Sequence, residues 1–289
     1  SSSSLYHGFT DILVDDEFID RFYANERMEL PEQKEKLFAN QYLMLISSFD
    51  NKKTALAKYV GPNQPLARLA AFGKKGVFGV KPRNKEQNFA LDLLMNSDIP
   101  LVSIVGKAGC GKTMLAIAAG LEQTVGSIDN KYSRLIVSRP VQPMGKDIGF
   151  LPGTLEEKMS PWLRPIQDNL QFLLGNDKVT LEMYMQKGLI EVEAITYIRG
   201  RSIANAYIII DEAQNLSMHE IKTIITRVGE GSKVILTGDI EQIDNVYVDE
   251  TTNGLTYVTE KFKPYDLAGH VTLMNGERSK VATLASKIL

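Results

Sequence analysis

The chain has 289 residues, 44% hydrophobic and 24% charged, with a formal net charge of −2. These ordinary globular values suit one large domain or a domain with a small companion; they exclude a uniformly basic nucleic-acid coat but leave room for a local basic groove. The lone cysteine, Cys110, excludes an internal disulfide and no apolar run approaches a membrane span, so the expectation is a soluble cytoplasmic protein without a membrane partner.

In chain order, Ser1–Ser4 reads as a tag or linker remnant. Residues 5–81 combine a strand-like alternation in "YHGFTDILVD" with two strands around a polar turn at Asp50–Lys53. Gly and Pro then punctuate "VGPNQPLARL" and "FGKKGVFGVKP", which marks a small β-rich module and a boundary. Residues 82–289 alternate short apolar runs with helical patterns, an α/β texture with a mostly parallel sheet. Strands are expected at 101–106, 134–139, 190–195, 206–211, 233–238 and 270–274. The stretch "RPVQPMGKDIGFLPG" is too rich in Gly and Pro for a helix. After it, "TLEEKMSPWLRPIQDNLQFLL" regains helical spacing, with Thr154 and Glu157 as a capping box and Trp162 as a core residue.

The segment "VSIVGKAGCGKTMLAIAAG" carries Gly106, Lys107, Ala108, Gly109, Cys110, Gly111, Lys112 and Thr113, matching G-x-x-x-x-G-K-[ST] at every fixed position. The glycines let successive backbone N–H groups converge on phosphate oxygens, and the helix that continues through Met114 adds its positive dipole end. Lys112 is placed to reach the β- and γ-phosphates and the Thr113 hydroxyl to ligate Mg²⁺, so residues 106–114 are read as a nucleoside-triphosphate site. Cys110 is read as a small filler of the loop.

A second acidic site is needed for the metal and the attacking water. "AYIIIDEAQN" supplies Asp211 at a strand end for Mg²⁺ and Glu212 to orient or deprotonate water. In "KVILTGDIEQID", Thr237, Gly238 and Asp239 end the next strand, and Gln242 is a candidate sensor of the γ-phosphate.

"IIIDEAQN" followed by "ILTGDIEQID" is similar to the second and third motifs of superfamily 1 helicases. More narrowly, residues 138–170 and 197–215 resemble the PhoH-like ATPases, with a likeness running from about Pro82 to Ser286. The resemblance implies a RecA-like P-loop NTPase. It implies adenine recognition by Gln87, an arginine finger at Arg278, and a nucleic-acid contact at Arg139. Arg199, Arg201, Lys146 and Lys158 are further candidates for the phosphates of single-stranded RNA. The segment "LYHGFTDILVDDEFIDRFY" resembles the stretch that joins a PIN nuclease domain to the ATPase in fused members, which implies such a domain in the full-length protein. The nuclease's own acidic constellation is absent from this sequence.

Only one P-loop is present, and one motor core cannot walk against itself. Either the protein is a switch or a neighbouring subunit completes each site. A homo-oligomeric ring with Arg278 offered to the neighbouring site is expected, and the resemblance to PhoH-like ATPases implies that it is hexameric. The leading expectation is an ATP-driven RNA helicase or translocase. The alternative is a nucleotide-gated switch binding RNA or protein without translocation, and a nucleotide kinase is a third reading that the "DEAQ" string opposes.

Overall fold

A computed structural model describes residues 5–126, 130–141, 155–198 and 201–274, with Val281, Leu284, Ala285, Ile288 and Leu289; the side chains of residues 155–160 and 197 fall outside that description. The N-terminal module runs β1 (Phe9–Val14), α1 (Asp16–Tyr23), β2 (Gln41–Ser47), β3 (Thr54–Tyr59) and β4 (Ala67–Arg68). Its sheet has the order β1-β2-β3-β4, with β1 parallel to β2 and the other pairs antiparallel. The period of two along a strand divides the side chains of β2 between two surroundings. Leu43 and Leu45 join Ile19 and Phe22 of α1 in a core of their own. Tyr42 points the other way and stacks on Phe89 with ring centroids 4.7 Å apart.

The larger unit begins with α2 (Lys85–Met95) and continues through β5 (Leu101–Gly106), α3 (Lys112–Thr124), β6 (Arg134–Arg139), α4 (Leu155–Leu173), α5 (Lys178–Gln186) and β7 (Ile190–Ala194). It closes with α6 (Ile195–Ile198), β8 (Ala206–Ile210), α7 (Met218–Ile225), β9 (Lys233–Gly238), α8 (Gly254–Phe262) and β10 (Ala268–Leu273). The six strands are all parallel in the order β10-β5-β9-β8-β6-β7. Both faces are covered, as a buried parallel sheet requires. Val102, Ile104, Leu135 and Tyr207 pack with α2, α3, α4 and α5, whereas Ile208, Ile210 and Leu236 pack with α7 and α8. The strand expected at 190–195 gives up Ile195 to α6, and the last strand starts two residues early at Ala268. Thr154 and the side chain of Glu157 lie outside the described residues, while Trp162 is half-buried on α4. Among the described residues no helix is long and apolar enough to cross a membrane.

The two units are joined by specific polar contacts. Asn40, at φ 67°, donates its side-chain amide to the carbonyls of Asp266 and Ala268. The Tyr42 hydroxyl donates to Asp92 of α2 at 2.6 Å, and the Thr272 N–H of β10 donates to the His7 carbonyl.

Helix α2 matters because its first turn touches the P-loop. Asn84 caps it by accepting from the Gln87 N–H. Its other end is held by Lys233, fully buried at the start of β9, whose Nζ donates to the carbonyls of Leu93 and Asn96 at 2.5 and 2.6 Å. Burial, reinforced by Lys131 and Lys58, pushes Lys233 down from 10.5 to about 7. The unfolded chain keeps this proton up to the ordinary lysine value, while the native chain releases it near 7. Unfolding therefore takes up a proton between those limits, and stability rises with pH across that window. Lys233→Met should flatten the rise in urea-unfolding free energy from about pH 7 to about pH 9 by one proton's worth of slope. An unchanged slope would show that Lys233 stays charged in the native state.

Candidate nucleotide site

The phosphate loop joins β5 to α3. Gly109 and Gly111 adopt φ of 86° and 89°, the left-handed region that a side chain resists. Gly106 answers a different constraint, close approach: a Cβ there would lie 2.4 Å from Cys110 Sγ. Gly111 sits at the N-cap of the 13-residue α3 and offers no side-chain cap. The first N–H groups of the helix and its dipole are thus left for an anion. Lys112 is buried at the first helical position and Thr113 and Met114 are partly exposed beside it. Burial pushes the Cys110 thiol up, so it stands as a neutral filler between Gly106 and the helix. Lys107 pairs with Glu241 at 3.5 Å, both side chains about half exposed, a contact of little energetic weight.

The strand order puts β5, β9 and β8 side by side, so residues that follow them meet at one end of the sheet. Asp211, just past β8, accepts on Oδ1 from the Thr237 hydroxyl of β9 at 2.7 Å and from the Thr113 hydroxyl of α3 at 3.2 Å. Its own N–H donates to the Ser138 carbonyl of β6. Burial pushes the Asp211 carboxyl up, and Arg139 is the strongest opposing influence. One residue on, Glu212 has φ 56°, an uncommon conformation for a residue with a Cβ and one typical of functional turns. A hydroxyl and a carboxylate on one side of a glycine cradle are hard oxygen donors that fit Mg²⁺, which takes one or two protein ligands and completes its shell with phosphates and water. Among the described residues no group of three His, Cys, Asp or Glu side chains converges.

Other expected site residues stand elsewhere. Gln87 is buried, with its amide spent on the protein: Oε1 accepts from the Arg83 N–H and Nε2 donates to the Cys110 carbonyl at 3.1 Å. It fixes α2 to the phosphate loop. Gln242 has an exposed side chain, and its carbonyl makes the local link by accepting from Gln214 Nε2. Gln214, overlooked in the sequence, is fully buried in the 3₁₀ turn Ala213–Asn215. It also donates to Glu212 Oε2 at 2.5 Å and accepts from the Asp239 N–H, so it ties the acidic turn to the end of β9. Its signal was present as the fourth letter of the "DEAQ" string, but a glutamine there has no chemistry that spacing reveals.

Two of the residues expected to contact RNA are engaged within the protein. Arg139 faces inward, its Nη2 on Glu212 Oε1 at 3.1 Å and its Nη1 on the Trp162 carbonyl at 3.0 Å. Arg201 pairs with Glu191 and Glu193 of β7, each at 3.1 Å. Each guanidinium is therefore paired with carboxylates of this chain. Lys146, Arg199, Arg278 and the side chain of Lys158 lie outside the described residues.

A glycine cradle at the N-terminus of a helix, with a buried Thr–Asp pair at the ends of neighbouring parallel strands, defines a P-loop NTPase. The family model for PhoH-like proteins matches residues 79–288, and the chain belongs to that family. It is 45% identical over 291 residues to "Protein PhoH2" of Bacillus subtilis, a match covering 100% of this chain and 65% of that protein. It is also 41% identical over 167 residues to a "PhoH-like protein" of Bacillus subtilis, covering 57% of this chain and 50% of the other. The chain spans less than two thirds of the length of the PhoH2 relatives it matches. The Pif1 helicase of Candida albicans shares 16% identity at a TM-score of 0.35, covering 72% of this chain and 43% of that one.

The Gly106–Cys110 contact gives a direct test of the cradle. Gly106→Ala should weaken ATP binding by about tenfold or more, since the added methyl displaces the loop by its collision with sulfur. Cys110→Ala alone should leave binding near wild type, and the double variant should recover part of the loss by fluorescence titration with a nucleotide analogue. A double variant as weak as Gly106→Ala would place the damage elsewhere.

Proposed function

We propose that this chain is a Mg²⁺-dependent ATPase coupled to single-stranded RNA, working as a helicase or translocase in an oligomeric ring in the cytoplasm. The observation that carries the ATPase reading is the convergence of Thr113, Asp211 and Thr237 beside the glycine cradle, with Glu212 one residue away. Bound Mg²⁺ would be held by Thr113 and Asp211 and would supply charge neutralisation at the β- and γ-phosphates. Lys112 adds a point charge there, and the α3 N-terminus aligns the phosphate oxygens. Glu212 orients the attacking water, whose oxygen bonds to the γ-phosphorus as the bond to the β-phosphate oxygen breaks; the proton passes to Glu212 or to solvent, leaving ADP and phosphate.

The RNA coupling and the ring rest on the helicase-like order of motifs around a single motor core, with Arg278 of one subunit serving its neighbour's site. One observation favours the alternative of a slowly hydrolysing, nucleotide-gated switch: Glu212 is paired with Arg139 at 3.1 Å. Steady-state hydrolysis with and without single-stranded RNA separates the cases. The expected result is RNA-stimulated turnover that Glu212→Gln abolishes while ATP binding persists. RNA affinity should fall as salt rises, because phosphate contacts release counterions. Glu212→Gln turning over at the wild-type rate would remove the assignment of the water-orienting carboxylate. Hydrolysis indifferent to RNA would leave a P-loop ATPase with some other effector.

A further inference from the structure

Glu212 has both carboxylate oxygens engaged. Oε1 accepts from Arg139 Nη2 at 3.1 Å and Oε2 accepts from Gln214 Nε2 at 2.5 Å. Arg139 ends β6, whose register with β8 pairs Ser138 with Ile210 and so sets the arginine beside the two acids. The same guanidinium donates Nη1 to the Trp162 carbonyl of α4 at 3.0 Å and holds Nε 3.4 Å from Asp211 Oδ2. That Nε is buried and makes no hydrogen bond. One planar fork thus serves three partners and satisfies two of them.

We propose that Arg139 is a positioning residue that holds Glu212 idle, and that α4, through the Trp162 carbonyl, sets whether the hold persists. The inference rests on Glu212 being the water-orienting carboxylate and does not depend on RNA being the effector. The Glu212 oxygen that faces the arginine is taken up by that bond and is not offered to water. Arg139 also competes with a cation for Asp211, so both acids are restrained by one group.

The sequence of α4 makes it a suitable lever. Pro161 and Pro165 both fall inside this helix and bracket Trp162. Each lacks the N–H of a regular helical turn and crowds the carbonyl four residues back, so the turns around Trp162 lack two of the hydrogen bonds of a regular helix. The inward side of α4 is anchored by Leu163, Ile166 and Leu170 in the core. A shift of the first part of α4 therefore moves the Trp162 carbonyl relative to a fixed sheet. The guanidinium, incompletely satisfied where it stands, follows the carbonyl or stays with Glu212.

A purely structural role for Arg139, as counter-charge to two acids, gives the opposite sign on removal. Loss of a counter-charge lowers turnover, whereas loss of a restraint raises it. The experiment is steady-state ATP hydrolysis by the full chain without polynucleotide, comparing wild type, Arg139→Ala, Arg139→Lys and Glu212→Gln. Arg139→Ala should raise basal kcat by about tenfold, the scale of one charge-assisted hydrogen bond, with KM for ATP within about twofold. Any effector that stimulates wild type should stimulate this variant less. Arg139→Lys keeps the charge beside Asp211 but cannot span Glu212 and the Trp162 carbonyl together, so it should rise in the same direction by less. It decides the matter if Arg139→Ala fails to fold. Unchanged or lower basal kcat in a folded variant, with Glu212→Gln inactive, overturns the restraint and leaves the Glu212 assignment standing. Glu212→Gln active at the wild-type rate overturns both.

Discussion

Asp211 carries a charge out of water at the end of a central strand, and most of the site is arranged around that cost. Taking an ionised carboxylate into a protein interior is unfavourable unless hydrogen bonds and opposite charge replace the lost hydration. Here Thr113 and Thr237 converge on one of its oxygens from α3 and β9, while Arg139 and Lys112 supply positive charge. Each partner comes from a different element, and only the parallel order β5-β9-β8-β6 brings them to one end of the sheet. The buried carboxylate is thus a consequence of topology.

The same reasoning links the site to parts of the chain far from it. Gln87 joins α2 to the Cys110 carbonyl, so the phosphate loop inherits the position of α2. Lys233 holds the far end of α2, and Tyr42 of the N-terminal module bonds Asp92 in its middle. The N-terminal module consequently packs on the helix that braces the loop, as well as on the edge strand β10 through His7 and Asn40. A displacement of that module has a mechanical route to the phosphates through α2, over a short path of hydrogen bonds and one stacked ring pair.

What was legible in the sequence is what has a fixed local spacing. The glycine loop, the acidic pair at the end of an apolar run and the six strands of the larger unit are patterns of neighbouring residues, and local pattern survives folding. The contacts that were not legible share a different property: their partners are distant in sequence. Gln87 meets Cys110 across 23 positions, Arg139 meets Glu212 across 73, and Gln214 meets Gln242 across 28. A polar side chain at a strand end reads as an outward-facing contact until the neighbouring strand is known. Once β8 is placed beside β6, Arg139 has two acids within reach, and charge pairing in a low-dielectric setting outweighs exposure to a solvated phosphate.

The backbone of Glu212 adds a last constraint. At φ 56° it adopts a conformation that costs a residue with a Cβ on the order of 1–3 kcal/mol. The left-handed turn takes the chain from β8 directly into the 3₁₀ turn, where Gln214 can reach both Glu212 and the end of β9. An ordinary right-handed or extended residue at 212 would send the chain in another direction and separate the acid from Gln214. The strain therefore serves geometry at this end of the sheet, where Glu212 sits one residue past Asp211 and is held from both sides.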